Sequence, residues 1–134
     1  MIRYVCGFII STDLKKVALI EKNRPKWQQG YLNGIGGKIE NSESIYDAVA
    51  REFQEETGCN TNTNDWIYFD SIINNEFELY FLYFISNKIY DVLTITDEIV
   101  NVYEIDNLQE YKLINGIYDV ILNIVKYNIS FNIS

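Results

Sequence analysis

Three glutamates and an arginine crowd into one short segment, Arg51, Glu52, Glu55 and Glu56. If that segment is helical, steps of about 100° per residue put Glu56 about 40° to one side of Glu52 and Glu55 about 60° to the other. Ile45, Ala48 and Val49 fall on the same side, so the spacing predicts that the three glutamates share the face that buries the helix. Carboxylates turned inward repel each other and lose hydration, at a cost on the order of several kcal/mol unless something compensates. The chain has no histidine and few basic residues near this segment. A hard divalent cation is then the economical compensation, because carboxylates at i and i+4 reach one ion and Mg²⁺ takes a few carboxylates together with phosphate oxygens. The alternative is a solvated acidic face. Arg51 and Glu55, at i and i+4, are spaced to pair.

What the chain lacks narrows the chemistry further. Without histidine there is no serine–histidine or cysteine–histidine catalysis and no usual zinc site. Cys6 and Cys59 are too few and too far apart for a disulfide framework, and are expected to be buried, reduced apolar residues. A net charge of −8 argues against nucleic-acid polymers and anionic membranes as partners. It leaves a small phosphorylated substrate open, since a bound cation reverses the local field. The apolar run at Val5–Ile10 is too short to span a membrane, and no stretch reaches the roughly 18 apolar residues that a transmembrane helix needs. The expectation is a cytoplasmic protein in which residues 1–134 form one domain.

The elements that must position these groups are legible in outline. Val5–Ser11 and Val17–Glu21 read as strands joined by the turn residues Ser11, Thr12 and Asp13. Lys22–Gly37, with four glycines and little periodicity, reads as a long loop, a kind of segment that is usually functional. A helix is predicted over Ile45–Thr57, with Ser44 as N-cap, Asp47 completing a capping box and Gly58 at its exit. Trp66–Ile73 and Phe77–Ile85 read as strands, the second nearly all apolar and so central. Asp97–Ile105 holds a further short strand. Ile117, Val120, Ile121, Ile124 and Val125 predict a helix over Asn115–Tyr127. Strands with interspersed helices imply an α/β protein with helices packed on a mixed sheet.

The run Gly37-(five residues)-Glu43-(seven residues)-Arg51-Glu52-Phe53-Gln54-Glu55-Glu56-Thr57-Gly58-Cys59 resembles the Nudix box, with every single-identity position of that signature filled. The two positions where the family prefers an aliphatic residue hold Phe53 and Cys59, a departure that concerns packing. The surrounding order of elements is also similar to the family's α/β/α sandwich. The resemblance implies metal-assisted attack of water on a pyrophosphate, with Mg²⁺, or Mn²⁺ in its place, as the cofactor. Carried over by position, Glu52 and Glu56 are the principal metal ligands, Glu55 a further one and the Gly37 carbonyl a fourth. Glu43, Arg51 and Gly58 are structural. Glu52, Glu55 and Glu98 are the catalytic candidates, Glu98 because some relatives place an extra glutamate in a late loop. An exposed loop acid is the other reading of Glu98.

Ahead of the box, Asn33-Gly34-Ile35-Gly36-Gly37-Lys38 is similar to the MutT-like branch, which acts on purine nucleoside triphosphates, including oxidised ones. Asn33 reads a base through its amide, or else makes an Asn-Gly turn with Gly34. Arg24, with Lys22 and Lys26, meets phosphate or solvates the loop. Tyr31, with Trp27 and Phe8, stacks on a base or packs the core. Asn33, Lys38, Arg24 and Tyr31 form the expected substrate-binding set. The expected activity is hydrolysis of a nucleoside triphosphate to the monophosphate and pyrophosphate by a monomer or homodimer. The alternatives are a Nudix hydrolase of ADP-ribose, a nucleotide sugar or a dinucleoside polyphosphate, and a non-catalytic nucleotide sensor.

Overall fold

Side chains alternate along a β-strand, so a strand buried on both faces must be apolar at every position. The first strand meets that condition over its second half. In the computed structural model, which describes residues 1–133, β1 spans Ile2–Ile10 and is followed by β2, Lys16–Glu21. Val5 and Ile9 of β1 and Ala18 and Ile20 of β2 enter one core cluster. Cys6, Phe8 and Ile10, with Val17 and Leu19, enter another on the opposite face.

Each cluster is closed by a helix. The helix α1, Ile45–Thr57, contributes Ala48, Val49 and Phe53 to the first. The helix α2, Ile117–Ile133, contributes Ile117, Ile121 and Ile124 to the second. The result is the expected α/β/α sandwich around a mixed sheet. Both cysteines are free and buried.

The remaining strands are β3 (Leu32–Asn33), β4 (Ile35–Lys38), β5 (Ile67–Ile73), β6 (Phe77–Ile85) and β7 (Val100–Glu104). The sheet order is β3-β2-β1-β6-β5, with β4 also on β1 and β7 also on β2. β6 runs parallel to β1 along its whole length, and the other pairs are antiparallel. β6 thereby occupies one flank of β1, and β4 and β2 divide the other. β4 pairs at Tyr4–Gly7, whereas β2 joins only at Ile10. The sheet forks there, and Asn33-Gly34 bridges the fork between β3 and β4.

Two expectations need correction. Lys22–Gly37 is not one loop, because Lys26–Gln28 forms a 3₁₀ turn and β3 and β4 account for most of its C-terminal end. Its glycines mask strand periodicity, since a glycine adds no apolar side chain to either face. The last helix begins at Ile117, after Gly116 at φ 92°, and continues beyond Tyr127. The apolar stripe marks the packed face, while backbone hydrogen bonding carries the helix past it. Strand ends differ from the expected ones by one to three residues at β1, β2 and β5, and β7 lies within Asp97–Ile105 as expected. Among the described residues, no helix is long and apolar enough to cross a membrane.

Candidate functional site

α1 carries the glutamates, and both its ends are fixed. Asp47 N donates to Ser44 Oγ (3.0 Å) and Ser44 N donates to Asp47 Oδ2 (3.2 Å), the reciprocal capping pair predicted. At the other end Gly58 adopts φ 73°, and its N–H donates to Gln54 O at 2.9 Å. A residue with a Cβ is disfavoured in that left-handed conformation.

The helix buries Ala48, Val49, Phe53 and Thr57. Phe53 and Thr57 lie about 100° and 140° from Glu52, on the side away from Glu55. The three glutamates therefore grade across the edge of the buried face rather than sharing it. The Glu56 Oε2 atom is buried with no hydrogen-bond partner. The Glu52 side chain is 14% exposed and that of Glu55 54% exposed, which corrects the expectation for Glu55.

Arg51 organises the edge of this group. Its Nε donates to Glu43 Oε2 (2.7 Å) and its Nη2 to Glu43 Oε1 (2.9 Å), a two-point grip. Nη2 also donates to the Lys38 carbonyl (3.0 Å) at the end of β4. Nη1 donates to Glu52 Oε1 (3.1 Å) and Glu55 Oε2 (3.3 Å), so the Arg51–Glu55 pair forms as its spacing predicts. Helical spacing alone does not find the stronger partner, Glu43, because that residue precedes the helix. The Arg51 guanidinium holds the Glu43 carboxyl below its ordinary range.

β4 presses against Glu52. A Cβ built on Gly37 would lie 2.5 Å from Glu52 Oε1, so any larger residue there would have to displace this carboxylate. Burial, opposed by Arg51, raises the pKa of Glu52. Burial, then the charge of Glu52, pushes Glu56 up to about 8, with Glu98 and Glu55 adding to the rise and Lys22 opposing it. A buried carboxylate oxygen without a donor, beside a second half-buried carboxylate, suits a cation. Among the described residues no three acidic or thiol side chains are gathered into a ready-made cage. Glu52 and Glu56 are thus a partial ligand set, which fits Mg²⁺, an ion that keeps waters and takes phosphate oxygens.

Glu98, whose charge adds to the rise at Glu56, is buried and not an exposed loop acid. Its Oε1 accepts from Lys22 Nζ (3.0 Å), and its Oε2 accepts from Asn23 N (2.7 Å) and Arg24 N (3.4 Å). Burial raises its pKa, but the Asn23 amide and the Lys22 ammonium outweigh that and hold it below the ordinary value. The role of Lys22 here was missed by sequence reasoning, although the β2–β7 register contains it. The pairs Ile20↔Val100 and then Glu21 N to Ile99 O bring Lys22 opposite Glu98.

The expected substrate-binding residues are dispersed around the fork. The Asn33 Oδ1 atom accepts from Gly34 N (2.8 Å) and from the Cys6 thiol (3.6 Å), so its oxygen is engaged within the chain. Lys38 is exposed at the end of β4. Tyr31 is exposed, and Trp27 is 71% exposed. The Arg24 guanidinium pairs with Asp97 and lies 4.0 Å from Glu98 Oε2. Phe8 is fully buried in the α2-side cluster, which makes it core and removes it from the base-stacking set.

Comparison with known proteins adds three findings. A family model described as the NUDIX domain matches residues 2–123. A Nudix hydrolase of Bacillus subtilis, YvcI, is 43% identical over 54 residues, which is 40% of this chain and 31% of that relative. The match thus spans less than a third of the relative's length. Among solved structures, a MutT from a study of Aliivibrio salmonicida and Vibrio cholerae superposes with a TM-score of 0.78 at 20% identity, covering 94% of this chain and 98% of its own. A NUDIX-family hydrolase from Clostridium perfringens gives a TM-score of 0.68 at 18% identity, covering 93% and 96%. At such identities these two likenesses speak to the fold.

Proposed function

The chain belongs to the Nudix hydrolase family, and from that premise we propose that it cleaves a phosphoanhydride bond in a nucleoside diphosphate linked to a further group, with Mg²⁺ or Mn²⁺ as cofactor. The observation that carries this reading is the buried, unpartnered Oε2 of Glu56 beside Glu52, two carboxylates with raised pKa values that a cation relieves.

Glu52 and Glu56 would hold the ion, with the Gly37 carbonyl and Glu55, directly or through water, as further ligands. When bound, the cation neutralises phosphate charge, orients the polyphosphate and acidifies water. Arg51 fixes Glu52 through Oε1 and leaves Oε2 free to accept a proton. Glu98, kept ionised by Lys22 and two backbone amides, is the second base candidate. Lys38 and Tyr31, both exposed, are available to phosphate and base.

Within this class the reading favoured is a MutT-like nucleoside triphosphate pyrophosphohydrolase releasing the monophosphate and pyrophosphate. With its oxygen held by Gly34 and Cys6, Asn33 presents its amide nitrogen as a donor to a base. The test is a panel assay of purified protein with Mg²⁺ against several nucleoside triphosphates, ADP-ribose, a nucleotide sugar and a dinucleoside polyphosphate, with products identified by mass. Preference for a purine triphosphate, yielding pyrophosphate, supports the narrower reading. Preference for ADP-ribose moves the chain to the other branch, and binding without turnover makes it a sensor.

A further inference from the structure

The β2–β7 ladder does not stop where its strands stop. Residues face each other at Lys16↔Glu104 through Ile20↔Val100, and the next bond runs from Glu21 N to Ile99 O at 2.8 Å. Beyond it, side chains replace the backbone ladder in the same register. Lys22 meets Glu98 at 3.0 Å, and Asn23 Nδ2 donates to the Asp97 carbonyl at 2.7 Å. Arg24 closes the series by pairing with the Asp97 carboxylate. The second of these two segments is also tied to the glutamate helix. Leu93 N donates to Thr57 O at 3.0 Å, and Ile95 sits 3.2 Å from the position a Cβ on Gly58 would take. Glu98 is therefore suspended between a tether to the end of α1 and a side-chain clasp to the segment after β2.

From this geometry we infer that Arg24 and Asp97 are positioning residues, a surface latch that holds the segment after β2 against Glu98 and so keeps the Lys22–Glu98 pair in place. The inference rests on the hydrolase reading for its catalytic consequence, but the latch itself is a property of the fold. Both partners are 61% exposed, so the pair contributes little to global stability. Its effect is local, because the Asn23 and Arg24 amides that bind the buried Glu98 carboxylate lie within two residues of the latch.

The test compares Arg24→Ala, Asp97→Ala and the exchanged pair Arg24→Asp/Asp97→Arg in the full chain. Asp97→Ala should leave the melting temperature close to wild type and speed amide hydrogen exchange at Asn23 and Arg24 by about tenfold, since those amides lose their clamp. The exchanged pair should return that rate most of the way to wild type. With the best substrate from the panel, each single variant should lose about tenfold in kcat with KM little changed, as expected for displacement of a group beside the reacting centre, and the exchanged pair should recover much of it. Unchanged exchange at Asn23 and Arg24 in Asp97→Ala overturns the latch, whether or not the protein hydrolyses anything. A raised KM in Arg24→Ala, with Asp97→Ala as active as wild type and no recovery in the exchanged pair, also overturns it and makes Arg24 a direct phosphate contact. If wild type turns over no substrate while the exchange pattern holds, the hydrolase reading fails and the latch stands.

Discussion

Gly37 and Glu52 are in contact across the site: a Cβ on Gly37 would come within 2.5 Å of Glu52 Oε1 and 2.9 Å of Oε2. Gly37→Ala must push the carboxylate away or lift β4 from β1. We expect turnover to fall by about 10²-fold, the scale of losing a well-placed metal ligand. The stability cost should be only about 1–3 kcal/mol, as for other overpacked sites. Steady-state kinetics and thermal melting separate the two. Near-normal turnover in the folded variant would show that Glu52 need not lie against β4.

The raised pKa of Glu56 makes a pH prediction with a definite sign. Its ordinary value is 4.5 and its folded value about 8, so the folded state binds this proton more tightly than the unfolded chain does. The contribution to stability is present in full below about pH 4.5 and is lost as pH rises through about 8. In EDTA the melting temperature should therefore decline from about pH 6 to pH 9. Saturating Mg²⁺ should flatten the decline, because the ion takes the proton's place and binds more tightly as the carboxylate deprotonates. Melting curves across that range in EDTA and in Mg²⁺ make the check, and parallel trends would refute the assignment of Glu56 as a ligand.

Glu43 is the brace for Arg51, accepting at 2.7 and 2.9 Å with its side chain 17% exposed. Glu43→Gln keeps the shape and removes the charge that fixes the guanidinium. We expect a loss of about 1–3 kcal/mol in folding stability, the range for a charge-assisted bond in a partly buried site. A fall in kcat should accompany it, since Arg51 also orients Glu52. Chemical denaturation and kinetics test both effects, and an unchanged protein would mean that Arg51 is held by Lys38 and the helix alone.

Asn33 decides between two roles. If its amide nitrogen reads a base, Asn33→Ala should erode discrimination among triphosphates by roughly 1–3 kcal/mol while total turnover falls less. If its bond to Gly34 N is its whole purpose, the melting temperature should drop with base selectivity intact. Ratios of kcat/KM across several triphosphates, measured beside melting, distinguish them.

Much of this architecture can be read from residue order because α1 announces itself through local chemistry. Ser44, Asp47 and Gly58 act within a few positions of one another, and the capping bonds and the left-handed exit follow from them. The grading of Glu52, Glu55 and Glu56 was harder to read. It depends on where the centre of the buried face falls, and Phe53 and Thr57 shift that centre away from Glu55. The short strands β3 and β4 were hidden by glycines that carry no periodic signal. Lys22 and Glu98 are 76 residues apart, joined only through the β2–β7 register, which no local pattern contains.

If a cation completes the buried, unpartnered Oε2 of Glu56, then Glu56→Gln must show it. The variant keeps the shape and removes the charge. We expect kcat in saturating Mg²⁺ to fall by at least about 10²-fold, while the metal-free protein melts no lower than wild type at pH 8 and above. Wild-type turnover by the folded variant in Mg²⁺ would contradict this.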